Sequence, residues 1–297
     1  MSEDVGPVGI VGLGLIGTAL AERLLQAGLP VMGLDHDAAR TASAAALGVA
    51  PCSTLGEIVS GCARIILAVY DTTQVEEVLG AIAGMPMDRD RPNRIVVVVS
   101  TCDPDRIAAV GRSLADTAIG LIEAPISGTS GQLRNGKAVL LVAGDEALAA
   151  RCDDIFAAVA LRSFHVGVLG NGNRTKLAIN LILGLHRAAL AEGLVIAEGF
   201  GLDPSRFLEI AKGSAAYSQV MDVKGRQMVE ARFEPQGRIR QSAKDFALIE
   251  ETAGRVGLRP PLASLYAELM ADCLVHDEAD LDNAAVIRAV RRRAASG

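Results

Sequence analysis

Apolar residues fall into two different rhythms along the chain, and the rhythm changes near residue 170. Up to about residue 165, short runs rich in branched side chains alternate with alanine-rich amphipathic stretches. The runs are Val8–Val11, Pro30–Leu34, Arg64–Val69, Arg94–Val99, Gly120–Ala124 and Ala138–Val142. Ile95–Val99 is almost entirely β-branched, which suits a strand covered on both faces. The intervening Thr18–Ala27, Asp37–Leu47 and Thr73–Ile82 read as helices. Strand–helix alternation at this spacing predicts an α/β fold: a doubly wound parallel sheet with helices on both sides.

From about Asn173 the strand-like runs disappear. Helical stretches follow at 173–200, 204–213, 217–231, 241–256 and 260–275, with breaks at Gly201, Gly257 and the Pro260–Pro261 pair. Two domains are therefore expected: an N-terminal α/β domain over 1–168 and a C-terminal all-helical domain over 169–297. The boundary falls in the glycine-rich stretch Gly167–Gly172. No repeat or low-complexity tract is evident. Leu177–Leu202 is the most apolar long stretch, but His186, Arg187, Glu192 and Glu198 interrupt it and would be costly in lipid. It reads as a helix buried in protein, not as a membrane span. A helix apolar on nearly every face needs cover on all sides. A small helical domain alone would not supply it, so a homodimer or homotetramer is expected.

Composition narrows the function classes. Of 297 residues only 3% are aromatic and none is Trp, which argues against a carbohydrate-binding surface or a stacking platform for single-stranded nucleic acid. A net charge of −6 opposes a nucleic-acid footprint, which needs a basic face. Arg291, Arg292 and Arg293 read instead as a solvated last helical turn, where cations suit the dipole. The five cysteines are odd in number and widely spaced, with no CxxC pair, which fits a reducing compartment and gives no metal motif. Met1–Pro7 is acidic and lacks the pattern of a signal peptide, so a cytoplasmic protein is expected.

Three sites carry candidate chemistry. Gly12-Leu13-Gly14-Leu15-Ile16-Gly17 follows a strand and opens a helix. In that setting Gly12 permits the tight turn, Gly14 lets a pyrophosphate approach the backbone, and Gly17 lets helix and strand pack closely. The helix N-terminus offers N–H groups to phosphate. The alternative is a glycine-rich surface turn. Asp35 ends the next strand about twenty residues on, where an acid binds the adenosine ribose 2′-OH. The alternative for Asp35 is an ordinary helix cap. A carboxylate there repels a 2′-phosphate, and Asp37 adds a second, so NAD is favoured, with NADP possible because Arg40 could reach a phosphate. Third, Lys176 and Asn180 lie four apart on one helix face. A buried lysine is expensive without a partner or a task. Desolvation pushes its pKa toward neutrality, as proton transfer requires. Taken alone, the pair could equally be a structural hydrogen bond.

These motifs, with three more, resemble the β-hydroxyacid dehydrogenases, the family of 3-hydroxyisobutyrate dehydrogenase, tartronate semialdehyde reductase and 6-phosphogluconate dehydrogenase. Ser100-Thr101-Cys102-Asp103-Pro104 is similar to the family's S-T-x-x-P. Glu123-Ala124-Pro125-Ile126-Ser127-Gly128-Thr129 resembles D-A-P-V-S-G-G. The segment from Gly170 to Asn180 resembles G-x-G-x-x-x-K-x-x-x-N, and Lys244-Asp245-Phe246 is similar to K-D-L. The resemblance implies a Rossmann-type N-terminal domain. It also implies hydride transfer between NAD(P) and a small 3-hydroxy acid, or the corresponding semialdehyde. Lys176 would be the general acid/base and Asn180 would hold the substrate oxygen. Ser127 and Gly128 would bind the substrate carboxylate, with Thr129 beside them. Val69, Thr101 and Lys244 would join the glycine run and Asp35 at the cofactor, Lys244 reaching it from the helical domain. No family position calls for a metal, and none of His36, His165, His186 and His276 matches an acid/base position.

Departures from the pattern touch specificity. Thr129 stands where the family has a second glycine, and Tyr70-Asp71 replaces a proline-containing dipeptide. Arg238-Ile239-Arg240-Gln241 replaces a more acidic pattern, and Arg240 reads as a surface residue or as a selector of a second polar group. Two other functions stay open: a non-catalytic dinucleotide-binding relative and an imine reductase-like enzyme. The presence of Lys176 counts against both.

Overall fold

The structure is a computed structural model that describes residues 6–85 and 94–295. The reading of the N-terminus falls largely on Met1–Val5, outside these residues. The chain forms two compact units, Met1–Lys176 and Leu177–Gly297.

The first unit is built on a six-stranded parallel sheet of order β3-β2-β1-β4-β5-β6. Its strands are β1 (Val8–Val11), β2 (Val31–Leu34), β3 (Ala50–Pro51), β4 (Arg64–Leu67), β5 (Arg94–Val98) and β6 (Ile119–Glu123). β1, β4 and β5 are buried at every position, as strands covered on both faces must be. The order reverses between β1 and β4, and ligands in such sheets bind at the carboxyl ends of the strands at that switch. One expected run goes elsewhere. Val139–Val142 (β8) lies in a separate three-stranded sheet, antiparallel to β7 (Ile126–Ser127) and parallel to β9 (Arg162–His165). The two-residue β3 takes the sixth place in the main sheet.

Among the described residues, eight helices lie wholly within this unit: α1 (Leu15–Gln26), α2 (Ala38–Ala45), α3 (Leu55–Gly61), α4 (Thr72–Ala83), α5 (Pro104–Ser113), α6 (Ser130–Arg134), α7 (Glu146–Ala150) and α8 (Asp153–Val159). Side-chain caps start most of them where the sequence places Asp or Thr. Asp37, Thr54, Asp71, Asp103 and Asp145 each accept a backbone N–H of the first turn.

Helix α9 (Asn171–Gly199) begins at the end of the first unit and runs into the second. The second unit adds α10 (Pro204–Lys212), α11 (Gln219–Val229), α12 (Ile239–Arg255), α13 (Pro261–Val275) and α14 (Val286–Ala294). Its core centres on Phe246 and Tyr266, whose rings lie 4.3 Å apart. Gly184 of α9 packs on both, since a Cβ there would sit 2.3 Å from the Phe246 ring. Lys224 and Asp282 form a fully buried ion pair at 2.7 and 2.8 Å. Asp282 also accepts the backbone N–H groups of Gln236, Gly237 and Ala284.

One expectation changes here. The C-terminal arginines do occupy the last turn of α14, but they are ion-paired, not merely solvated. Arg291 meets Glu198, Arg292 meets Asp272 and Glu278, and Arg293 meets Glu268. Helix α9 is not covered on all sides within one chain. Ile182 and Ile196 are each 53% exposed, because the unit's other helices leave one stripe of α9 open. By length and composition α9 could cross a membrane, with 22% of its most apolar window buried. Its polar groups, however, bind the unit's own residues: Arg187 donates to the Tyr266 hydroxyl, and Glu198 pairs with Arg291.

Candidate active site

The glycine run connects β1 to α1 as its residue types require. Gly12 has φ +96°, and a Cβ there would lie 2.5 Å from the Ala68 carbonyl oxygen. A Cβ on Gly17 would lie 1.8 Å from the Gly12 carbonyl oxygen. Gly14, by contrast, caps α1 without a side-chain bond and opens onto free space. Any side chain at Gly12 or Gly17 would break the turn, while Gly14 leaves a bare helix N-terminus open to approach. These features fit a dinucleotide pyrophosphate.

Asp35 stands at the end of β2 beside this loop. One of its oxygens accepts the Leu13 N–H at 2.7 Å and the other accepts the Asp37 N–H at 2.9 Å. Its side chain is only 3% exposed, with Arg40 at 3.7 Å and His36 at 3.2 Å. The carboxylate therefore braces the glycine loop, a role that the motif spacing alone does not reveal. Arg40 also meets Asp37 at 3.4 Å, so the cation that could reach a 2′-phosphate lies between two acids.

Val69 and Thr101 lie just past β4 and β5. The Ser100 hydroxyl donates to the Val69 carbonyl at 2.7 Å, which joins these two loops. The Asp103 N–H donates to the Thr72 hydroxyl at 2.8 Å. Tyr70 and Asp71, which stand where the family has a proline-containing dipeptide, have a local task. Asp71 caps α4 by accepting the Gln74 N–H, and Gln74 in return accepts the Tyr70 N–H, each at 2.9 Å.

Ser127, Gly128 and Thr129 follow β6 through β7 into α6. Gly128 has φ +148°, a conformation that a side chain would strain. Thr129 caps α6 in a capping box. Its hydroxyl accepts the Gln132 N–H at 3.2 Å, and Gln132 accepts the Thr129 N–H at 2.9 Å.

Lys176 is 7% exposed on α9. The start of that helix is held by a residue that the motif match quoted without a role. Glu123, fully buried, accepts the Gly170 N–H at 2.7 Å, the Gly172 N–H at 3.2 Å and the Asn173 side-chain amide at 2.7 Å. Burial holds its carboxyl above the ordinary carboxylate value, while these donors pull it back. Asn173 also accepts the Cys102 N–H at 2.7 Å. The signal for Asn173 was its place three residues before the lysine.

In the helical unit, the Asn180 amide donates to Asp245 at 2.8 Å. Asp245 is also 3.1 Å from Lys244 and 3.3 Å from Gln241. Asn180 and Lys244 thus share one buried carboxylate, which periodicity did not disclose. Arg240 is half-exposed and ion-paired with Asp280, as the surface reading expected.

Other nucleophiles and ligands are quiet. All five cysteines are free and buried, and burial pushes Cys62 and Cys152 up to about 11 and Cys273 up to about 12. Among the described residues, no group of three or more His, Cys, Asp or Glu could hold a metal ion.

Residues 7–167 match the model of the NAD binding domain of 6-phosphogluconate dehydrogenase. Residues 170–290 match the NAD-binding model of NADP-dependent 3-hydroxyisobutyrate dehydrogenase. The chain is 28% identical over 282 residues to the cytokine-like nuclear factor N-PAC of Xenopus tropicalis, covering 95% of this chain and 53% of that protein. It therefore spans about half the length of the N-PAC relatives it matches. It is 26% identical to L-threonate dehydrogenase of Cupriavidus necator, covering 95% of each. Among solved structures, 3-hydroxyisobutyrate dehydrogenase from Salmonella typhimurium superposes with a TM-score of 0.86 at 25% identity, covering 95% of this chain and 99% of that one.

Proposed function

The chain belongs to the family of the 6-phosphogluconate and 3-hydroxyisobutyrate dehydrogenases, and from that premise we propose an NAD(P)-dependent dehydrogenase of a small 3-hydroxy acid, or reductase of the matching semialdehyde. The observation that carries the proposal is the buried Lys176, set on a helix whose first turn is tied to the loop of Thr101.

The open helix end at Gly14, framed by Gly12, Leu13, Leu15, Ile16 and Gly17, would take the pyrophosphate. Asp35, Val69, Thr101 and Lys244 complete the cofactor set. Asp35 and Asp37 favour NAD over NADP by charge. When bound, the nicotinamide supplies or takes up the hydride. Lys176 handles the proton: its neutral amine accepts the hydroxyl proton as an alcohol is oxidised, and its ammonium returns one to the oxygen in reduction. Asn180, oriented by Asp245, holds that oxygen. Ser127, Gly128 and Thr129 bind the substrate carboxylate and limit its size. In this division residues 1–168 are the dinucleotide-binding domain, which also lends Ser127, Gly128 and Thr129 to the substrate, and 169–297 are the domain of substrate binding and self-association, which also lends Lys244 to the cofactor.

The open stripe of α9 supports a homodimer or homotetramer, since Ile182 and Ile196 stay exposed in one chain. The free thiols and acidic balance support a cytoplasmic protein without nucleic-acid or membrane partners.

The test is Lys176→Ala, assayed on hydroxy acids, semialdehydes and cyclic imines with both cofactors. Turnover of a hydroxy acid or semialdehyde is expected to fall by about 10²-fold or more, while NADH still binds by fluorescence titration. Near-normal turnover would remove the lysine from the role assigned to it. Activity confined to imines would replace the substrate class.

A further inference from the structure

We propose that Glu123 and Asn173 are positioning residues: a buried carboxylate and amide that together set Lys176 in register with the Thr101 loop. The proposal rests on the dehydrogenase reading above.

Glu123 is itself rigidly placed. Its backbone exchanges two hydrogen bonds with Ala143, at 2.9 and 2.8 Å, at the end of β6. Its two oxygens divide three donors. Oε2 takes Gly170 and Gly172, fixing the backbone that enters α9, and Oε1 takes the Asn173 amide. There is no slack in this arrangement, because a Cβ on Gly172 would lie 3.0 Å from Oε2 and 3.0 Å from the Leu141 carbonyl. Asn173, fully buried, faces two ways. Its Nδ2 donates to Glu123 and its Oδ1 accepts from Cys102 N. The reverse amide orientation would set donor against donor and acceptor against acceptor, so only one orientation satisfies both neighbours.

This single amide links the residue next to Thr101 with the first turn of α9. Lys176 follows Asn173 by three residues and leaves the same side of the helix. A rotation of that turn would carry the amine away from the Thr101 loop, and the buried Asn173 opposes it, with the more exposed Arg174–Asp105 ion pair at 2.6 Å beside it. Simple anchoring does not require this construction. A buried carboxylate is costly to desolvate, and an apolar contact could hold a helix to a sheet at lower cost. What a carboxylate and an amide add is direction.

The test is a double-mutant cycle in the full chain. Asn173→Ala is expected to lower kcat about tenfold or more, as small displacements of a reacting group do. The NADH dissociation constant should stay within about twofold. In the Lys176→Ala background the same substitution should lower kcat no further, because the group it positions is gone. Glu123→Gln, nearly isosteric, should repeat this pattern and serves if Asn173→Ala does not fold. An equal loss in both backgrounds would show a general structural role and overturn the proposal. So would a kcat for Asn173→Ala equal to that of the parent. If Lys176→Ala alone retains turnover, the acid/base role of Lys176 fails and this proposal with it, whereas a parent that turns over neither hydroxy acids nor semialdehydes fails the dehydrogenase reading, so the two failures are distinguishable.

Discussion

In the sheet unit, the fully buried carboxylate of Glu123 is held by two backbone N–H groups and one amide. In the helical unit, the equally buried Asp282 closes on the Lys224 ammonium as well as on three backbone N–H groups. The difference follows from what each must hold. Oriented neutral donors fix the angle and register of a loop, so they suit a place where a reacting group must be aimed. A salt bridge joins distant elements strongly but specifies direction less. Here it ties α11 to the segment before α14. Removing one partner of such a pair leaves a stranded charge, which costs far more than the intact pair contributes.

Substitutions in each unit should therefore fail differently. The largest stability effect is expected from Lys224→Met. Loss of the cation should cost about 3–5 kcal/mol, read as a lower urea midpoint, while NADH affinity of the folded protein is retained. A loss under about 1 kcal/mol would mean that the backbone donors alone satisfy Asp282, and the contrast between units would weaken. In the sheet unit, Asp35→Ala should act on binding before stability. Without the acceptor for the Leu13 and Asp37 N–H groups, NAD should bind about tenfold more weakly, about 1.4 kcal/mol, with less discrimination against NADP. Unchanged cofactor preference in steady-state kinetics would assign ribose recognition to another residue.

The smallest effect concerns pH. Burial raises the Glu123 carboxyl above its ordinary 4.5, so the folded protein holds that proton more tightly than the unfolded chain does. Its contribution is present in full below the ordinary value and is lost as pH rises from there through the raised one. Glu123→Gln does not titrate. The stability of the parent relative to this variant should therefore decline as pH rises above 4.5, by less than about 1.4 kcal/mol per unit. Urea midpoints at several pH values would show it, and an opposite slope would contradict the direction of the shift.

Long periodic elements were legible from the sequence, because their burial repeats. The helix expected over 173–200 is observed as Asn171–Gly199. Short elements were not. β3 and β7 have two residues each, too few for any period, and all four residues of β9 are exposed, so no apolar alternation marks them. Of α14 only the arginine-bearing last turn was read from the sequence, through the match of cations to a helix C-terminus, and not the turns before it. At the site, the glycine run, Asp35, Lys176 and Asn180 stood out by residue type and spacing. The partners that orient them did not. Asp245 lies 65 residues from Asn180, and Glu123 lies 50 from Asn173. Contacts at that separation arise from topology, not from local pattern.

The burial of every thiol has a practical side. A cysteine that is inaccessible and held protonated reacts slowly with alkylating reagents and oxidants, and all five here are enclosed. A single cysteine introduced on an exposed loop would thus be the one fast-reacting sulfur in the molecule. Dyes or spin labels could be attached there without first stripping the native thiols from the core.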